Sequence, residues 1–223
     1  MAIERLSVVV PALNEAALIE RCLGALAPLR ARGHEVVLAD GGSTDGTPRL
    51  AAPFADRVIA APRGRAAQMN AGAAAALGDA FLFLHADTLL PEGAETAVLA
   101  ALARRAWGRF DLRFQSPRAA LAVVAFFMNW RSRLTGIATG DQAIFVRRAD
   151  FAGFPDIALM EDVALSKAMK RVSPPACLKL RVIASARRWE RDGVLRTVLL
   201  MWRLRFAYWR GADPRELARR YSH

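Results

Sequence analysis

The sequence predicts an α/β protein: a mainly parallel sheet interleaved with helices, followed by a C-terminal helical extension. Three observations carry that expectation. Apolar runs of strand length at residues 6–11, 35–39 and 81–84 alternate with stretches of helical spacing. Each run ends in a polar, turn-forming segment. The 223 residues are 54% apolar and 24% charged, enough to bury a core and incompatible with disorder.

The elements follow in order. Residues 6–11 are β-branched and closed by Pro11, a buried strand giving way to a loop. Asn14 offers an N-cap to a helix over 15–30, with Leu18, Ile19, Leu23 and Leu26 near helical spacing. The strand at 35–39 runs into DGGSTDG at 40–46, and Pro48 suits the first position of a helix. Residues 57–61 form a third short strand, and Gly64 precedes an alanine-rich helix reaching Leu77. After the strand at 81–84 comes HADT at 85–88, then a helix from Pro91 to residue 105. Strands and helices at this spacing imply βαβ crossovers and parallel pairing. Residues 109–114 and 143–147 read as strands around an apolar helix over 118–134. A helix starts near Glu161, a strand covers 178–183, and 194–209 is a long apolar-basic helix. No repeat or linker divides the chain, so one domain is expected over 1–223.

Charge separates the two ends. Lys+Arg minus Asp+Glu is 32 − 21 = +11, and only Lys167, Lys170 and Lys179 are lysines. From residue 187 onward, ten arginines face Glu190, Asp192, Asp213 and Glu216, which gives +6 of the +11. That balance suits phosphate, anionic lipid or nucleic acid. Two cysteines, Cys22 and Cys177, cannot make a disulfide framework or a four-ligand metal cage, and are expected reduced. The first residues lack a basic segment followed by an apolar leader. The longest apolar run, residues 119–128, is half the ~20 residues of a membrane span. A cytoplasmic location is expected, with peripheral membrane contact through the basic C-terminal end as a variant of it.

In a parallel sheet, ligands gather beyond the carboxyl ends of the strands. Three such ends here are acidic or turn-rich: residues 11–15, 40–47 and 85–88. Asp40, followed by Gly41, can accept hydrogen bonds from a base or ribose; Asp45 reads as a turn and cap residue. Asp87 is a candidate Mg²⁺ or Mn²⁺ ligand, since such ions take oxygen donors and keep substrate phosphates. His85 is either a neighbour of that ion or an imidazole hydrogen-bonded at a strand end. Arg63 and Arg65 flank Gly64 before a helix, where guanidinium and amide groups can hold a pyrophosphate. Glu161 and Asp162 open a helix, as dipole partners or as a general base for a hydroxyl.

Taken together, SVVVPALNE at 7–15, ADGGSTDGT at 39–47, LFLHADT at 82–88 and MED at 160–162 resemble glycosyltransferase family 2, which has the GT-A fold. RGRAAQMNAG at 63–72, GDQ at 140–142 and RRWERDG at 187–193 are similar to a small bacterial subgroup of radical-SAM/selenodomain-associated transferases. The resemblance implies a Rossmann-like nucleotide-binding sheet and an inverting, non-processive, hexosyltransferase-type enzyme. It divides the chain at about 1–90 for the nucleotide sugar, 91–190 for acceptor and catalysis, and 191–223 for a basic amphipathic helical tail. A UDP- or GDP-linked donor would lie against Pro11, Leu13, Glu15, Asp40, Gly41, Arg63, Arg65, Asn70, Ala86 and Asp87. Asp87 would hold the divalent ion, Mn²⁺ or Mg²⁺. Asp162, with Glu161 beside it, would be the base that activates an acceptor hydroxyl. Asp141, Gln142, Arg187, Arg188 and Trp189 would face the acceptor or the leaving diphosphate.

Two departures from the family pattern stand out. Its Asp-x-Asp reads His85-Ala86-Asp87, one carboxylate short, and its Gln-x-x-Arg-Trp reads SARRW at 185–189, without the glutamine. The second departure argues against processive polymer synthesis. Residues 194–209 either pack on the core or a homodimer partner, or lie on an anionic membrane. Two other functions compete. A nucleotidyltransferase making nucleotide sugars would open with a glycine-rich loop, and residues 11–15 hold no glycine. A non-catalytic basic module binding nucleic acid or lipid explains the charge but not the acidic strand ends, so no nucleic-acid partner is expected.

Overall fold

The computed structural model describes residues 3–222. Among these, the strands are β1 (Leu6–Ala12), β2 (Glu35–Asp40), β3 (Arg57–Ala60), β4 (Ala80–Phe83), β5 (Thr88–Leu89), β6 (Trp107–Phe114), β7 (Phe145–Arg147) and β8 (Ala176–Ala184). They form one sheet in the order β3-β2-β1-β4-β7-β6-β8-β5. The section β3-β2-β1-β4 is parallel throughout, as the alternation predicts. Antiparallel pairing enters where β7 joins β4 and β6, and where β5 joins β8. The pair β6–β8 is parallel again.

The helices are α1 (Ala16–Gly24), α2 (Ala27–Ala31), α3 (Thr47–Ala51), α4 (Arg65–Ala75), α5 (Ala94–Leu102), α6 (Ala119–Thr135), α7 (Glu161–Met169), α8 (Arg187–Asp192), α9 (Val194–Trp209) and α10 (Pro214–Ser222). They cover both faces of the sheet, which is why the central strands read as unbroken apolar runs. Along β1, Val8 and Val10 enter one core with Ile19, Leu23 and Val98, while Val9 enters the other with Met69 and Phe83. Along β4 the same alternation sends Leu82 one way and Phe81 and Phe83 the other.

Several expectations change. The helix predicted over 15–30 breaks after Gly24 and resumes as α2. Asn14 does not cap it. Its φ is +56° and its Oδ1 accepts from the Thr44 amide, so the side chain ties two loops together. The helix expected from Pro91 starts at Ala94 behind a left-handed Gly93. Strand β6 begins two residues early because Trp107 and Gly108 pair with Val146 and Phe145. Helix α8 is short and arginine-rich, and helical spacing alone does not find it, whereas α10 falls within the helical tail expected over 191–223.

Gly108 sits where strands crowd. A Cβ there would lie 2.3 Å from the Ala176 carbonyl oxygen and 2.5 Å from the Phe145 ring. Because backbone cannot swing aside, Gly108→Ala is expected to destabilise the fold by about 1–3 kcal/mol. Denaturant melts of the two chains would measure this, and an unchanged midpoint would mean that β6 and β8 spread to accept the methyl.

Candidate active site

The carboxyl ends of β1, β2 and β4 come together as the parallel order requires. A mesh of hydrogen bonds fixes the first two ends. Asn14 N donates to Ser43 Oγ at 2.8 Å, Glu15 N to Thr47 Oγ1 at 2.9 Å and Ala16 N to Asp45 Oδ2 at 2.9 Å. Asp45 is therefore a loop fastener, as expected. The Thr47 hydroxyl and the amides of Ala16 and Thr47 hold its carboxyl below the usual range. Buried Gln68, from α4, donates to the carbonyls of Ala12 at 2.7 Å and Ala39 at 3.1 Å, locking β1 to β2 beneath the site. Gln68 lies within the RGRAAQMNAG stretch at 63–72, and nothing in the sequence marks it as the residue that locks two strands.

Asp40 meets both of its readings. Its Oδ2 accepts from the amides of Gly42 and Ser43, each at 3.0 Å, closing the turn. Its Oδ1 is buried and has no protein partner, an acceptor held ready at the strand end. Pro11 and Leu13 are half-buried on either side of Ala12, which pairs in register with Asp40, and Gly41 lies against the Gln68 amide.

Residues 85–88 form a turn, with Thr88 N donating to the His85 carbonyl at 3.0 Å. The turn sends its two polar residues different ways. Asp87, with buried Ala86, lines a depression shared with Leu18, Arg21, Cys22 and Ser185. Arg187 Nη2, at the start of α8, lies 3.9 Å from Asp87 Oδ2 and 3.4 Å from Glu15 Oε2. Burial raises the Glu15 carboxyl above its ordinary value and the Asp87 charge adds to this, although Arg187 opposes both. Burial, with the same two acids, pushes the nearby Cys22 thiol up to about 12.

His85 turns to the other side. Its Nδ1 lies 3.3 Å from Asp141 Oδ1, and its Nε2 is buried without a partner. A Cβ on Gly140 would come within 2.6 Å of that Nε2, so the glycine permits the close approach. His85 therefore does not stand beside Asp87 as a second ligand. Burial raises the Asp141 carboxyl, yet His85, Arg65 and Arg188 outweigh it and hold the carboxyl below the usual range.

Arg65, His85, Gly140, Glu161 and Asp162 line one pocket, walled by Met69, Phe83, Ile144 and Phe154. Met160, left-handed at φ +70°, turns the chain so that Glu161 and Asp162 open α7 toward this pocket. Glu161 is buried and pairs with Arg65 Nη1 at 3.3 Å. Asp162 is half-buried. Its Oδ2 accepts from Gly140 N at 2.9 Å and its Oδ1 from Val163 N at 2.7 Å. Burial and the Glu161 charge nevertheless push its carboxyl up to about 6. Desolvation beside a like charge is how a fold tunes a carboxylate toward base chemistry.

The remaining expected residues divide. Arg63 is exposed. Asn70 uses both ends of its amide on Phe154, donating to its carbonyl at 2.9 Å and accepting from its amide at 2.7 Å. Gln142 is wholly buried. Its Nε2 donates to Ser132 Oγ at 3.1 Å and its Oε1 accepts from Thr139 N at 3.2 Å, so it faces neither acceptor nor diphosphate. Trp189 packs on Phe114, ring centroids 5.3 Å apart, the core alternative to an acceptor platform. Arg188 lies 3.5 Å over the Tyr221 ring and donates to its carbonyl at 2.7 Å. Helix α10 thus reaches the side of the pocket that holds Arg65 and Asp141, where burial raises the Tyr221 hydroxyl above its ordinary value despite Arg188 and Arg65. The helical tail expected over 191–223 includes α10, but nothing in the sequence places Tyr221 against Arg188.

Among the described residues no three His, Cys, Asp or Glu side chains gather as a metal cage, and no helix is long and apolar enough to cross a membrane. The family model described as "Glycosyl transferase family 2" matches residues 7–158. A PGL/p-HBAD biosynthesis glycosyltransferase of Mycobacterium tuberculosis is 39% identical over 108 residues, 45% of this chain and 42% of that protein. The chain thus spans less than half of the curated relatives it matches. S. aureus TarS 1-349 in complex with UDP-GlcNAc superposes with a TM-score of 0.65 at 18% identity, covering 81% of this chain and 58% of the other. Glucosyl-3-phosphoglycerate synthase from Mycobacterium tuberculosis, in complex with Mn²⁺, UDP and phosphoglyceric acid, gives 0.60 at 20% identity, covering 80% and 68%. These likenesses bear out the expected α/β GT-A architecture, and the match over residues 7–158 establishes that the chain belongs to glycosyltransferase family 2.

Proposed function

We propose that this chain moves a sugar from a nucleoside-diphosphate sugar, UDP-linked, to a hydroxyl acceptor, with inversion, one residue at a time, and with a divalent ion. The observation that carries the proposal is Asp162: a half-buried carboxylate, oriented by Gly140 N and raised by burial, at the mouth of a pocket beside the strand ends. UDP is favoured over GDP because both solved relatives named above hold UDP or a UDP-sugar. The motifs at 63–72 and 187–193 support the radical-SAM/selenodomain-associated subgroup, and a hexose donor is the expectation that follows.

The residues present fit a divalent ion. Asp87 and Glu15 converge on one guanidinium, so a cation is already favoured between them. Mg²⁺ and Mn²⁺ commonly accept one or two carboxylates and complete their shell with water and substrate phosphates. Asp87 would be the ligand, and the ion when bound would offset charge on the departing diphosphate. The chain does the rest. Asp40 Oδ1 accepts from the base or ribose, with Pro11, Leu13 and Glu15 around it. Arg187 exchanges its carboxylate partners for the diphosphate, whose growing charge it then stabilises. Asp162 takes the acceptor's proton as that oxygen attacks the anomeric carbon from the side opposite the leaving group. Arg65, steered by Glu161, offsets part of the carboxylate charge that lines the pocket. On this reading residues to about 90 mainly serve the donor, residues to about 190 the acceptor and catalysis, and 191–223 form the basic helical tail, with Arg65 and Arg187 reaching across the first division.

A base must be ionised to act. With Asp162 pushed up to about 6, kcat/KM should plateau above that pH and fall about tenfold per unit below it. UDP release followed from pH 4.5 to 8 tests this; a profile flat down to pH 5 would remove Asp162 as the base.

A further inference from the structure

Helix α9 has two apolar faces, and the fold uses only one. On the inner face, Leu200, Leu204 and Tyr208 pack with Met160, Val163 and Leu217. The outer face carries Leu195, Leu199, Trp202, Phe206 and Trp209 at i, i+4, i+7, i+11 and i+14, each more than half exposed. Single exposed leucines need no explanation; five large side chains in one stripe do. Arg196, Arg203 and Arg210 recur every seventh residue along one border of the stripe, all exposed. None of the three forms an ion pair among the described residues, and the preceding acid, Asp192, is already paired with Arg188 and Arg191. The helix contains no carboxylate at all.

This pattern suits one kind of partner. An anionic bilayer offers acyl chains to the stripe, phosphates to the guanidinium groups and an interfacial depth that tryptophan prefers. A second copy of this chain would instead bring like-charged arginines together. Helix α6 shows a comparable stripe in Val123, Phe126, Phe127, Trp130 and Leu134. Its arginines are occupied or turned in, however: Arg133 pairs with Asp111, and guanidinium atoms of Arg131 are buried. Charge complementarity therefore singles out α9.

We propose that the outer face of α9 docks the protein on the surface of an anionic lipid bilayer, with Trp202 and Trp209 at headgroup depth. Only Gly193 separates α9 from α8, whose Arg187 reaches Glu15 and Asp87, so docking holds the strand-end site next to the membrane. The proposal stands whether or not the sugar-transfer reading does.

The test is co-sedimentation of the full chain with vesicles of phosphatidylcholine alone or mixed equally with phosphatidylglycerol. Binding to the mixed vesicles is expected, at least roughly tenfold tighter than to the neutral ones and weakened by salt. Arg196→Gln/Arg203→Gln/Arg210→Gln should weaken it on the order of a hundredfold, at about fivefold per arginine. Trp202→Ser/Trp209→Ser should cost roughly tenfold or more. All five positions are exposed, and an unchanged circular dichroism spectrum checks the fold. Should a variant misfold, salt titration and quenching of tryptophan fluorescence by brominated lipid report on the unaltered chain. Failure to bind mixed vesicles at low salt, equal binding to neutral ones, or binding indifferent to both variants would each overturn the proposal. So would a concentration-dependent dimer that the tryptophan variant dissolves while vesicles stay unbound, which would assign the stripe to a second copy.

Discussion

Asp162→Asn is expected to lower turnover by about 10²- to 10⁴-fold while leaving UDP affinity within about twofold. The amide keeps the size of the side chain and its oxygen can still accept from Gly140 N; the Val163 amide, in the first turn of α7, loses its side-chain acceptor, so the circular dichroism spectrum of the variant is checked alongside turnover. What it loses is the ability to take a proton. UDP release from a UDP-sugar, with a hydroxyl acceptor or water, measures the first effect and calorimetry the second. Unchanged turnover would show that the acceptor proton leaves by another route. Glu161→Gln makes the contrast: the buried side of the pair with exposed Arg65 loses its charge, so binding should suffer with turnover.

Asp87→Ala is expected to abolish the strengthening of UDP binding by Mn²⁺, a loss of about 10–100-fold measured at saturating metal. The side chain is half-exposed, so the fold itself should change by no more than about 0.5 kcal/mol. Because Arg187 would then face Glu15 alone, metal-free UDP binding should persist or rise slightly. Metal dependence that survives the substitution would place the ion on other ligands and make Asp87 a partner of Arg187 only.

The parallel half of the fold was legible because each of its strands is short, apolar and ended by punctuation that physical chemistry makes unambiguous. Pro11, Asp40-Gly41 and the turn at 85–88 mark strand ends, and the strand ends mark the site. What the sequence could not show is which way a side chain leaves a turn. An extended chain would put His85 and Asp87, two residues apart, on one side; the turn between them sends one to Asp141 and the other toward Arg187. Gln142 and Asn70 were drawn into the site by neighbouring motif residues, whereas long-range hydrogen bonds to Ser132 and Phe154 commit them to the scaffold. Helix α10 falls within the helical tail expected over 191–223, with Leu217 buried against α9, whereas arginine-rich α8, six residues long, leaves no apolar period to read.

The measurement that bears most directly on this account is calorimetric titration of the unaltered chain with UDP, with and without Mn²⁺. Binding that Mn²⁺ strengthens at least about tenfold is the predicted result, since Asp87 supplies too few ligands to hold the ion without phosphates. Absence of UDP binding under both conditions would leave the family and the fold in place and contradict the assignment of the strand ends as the donor site.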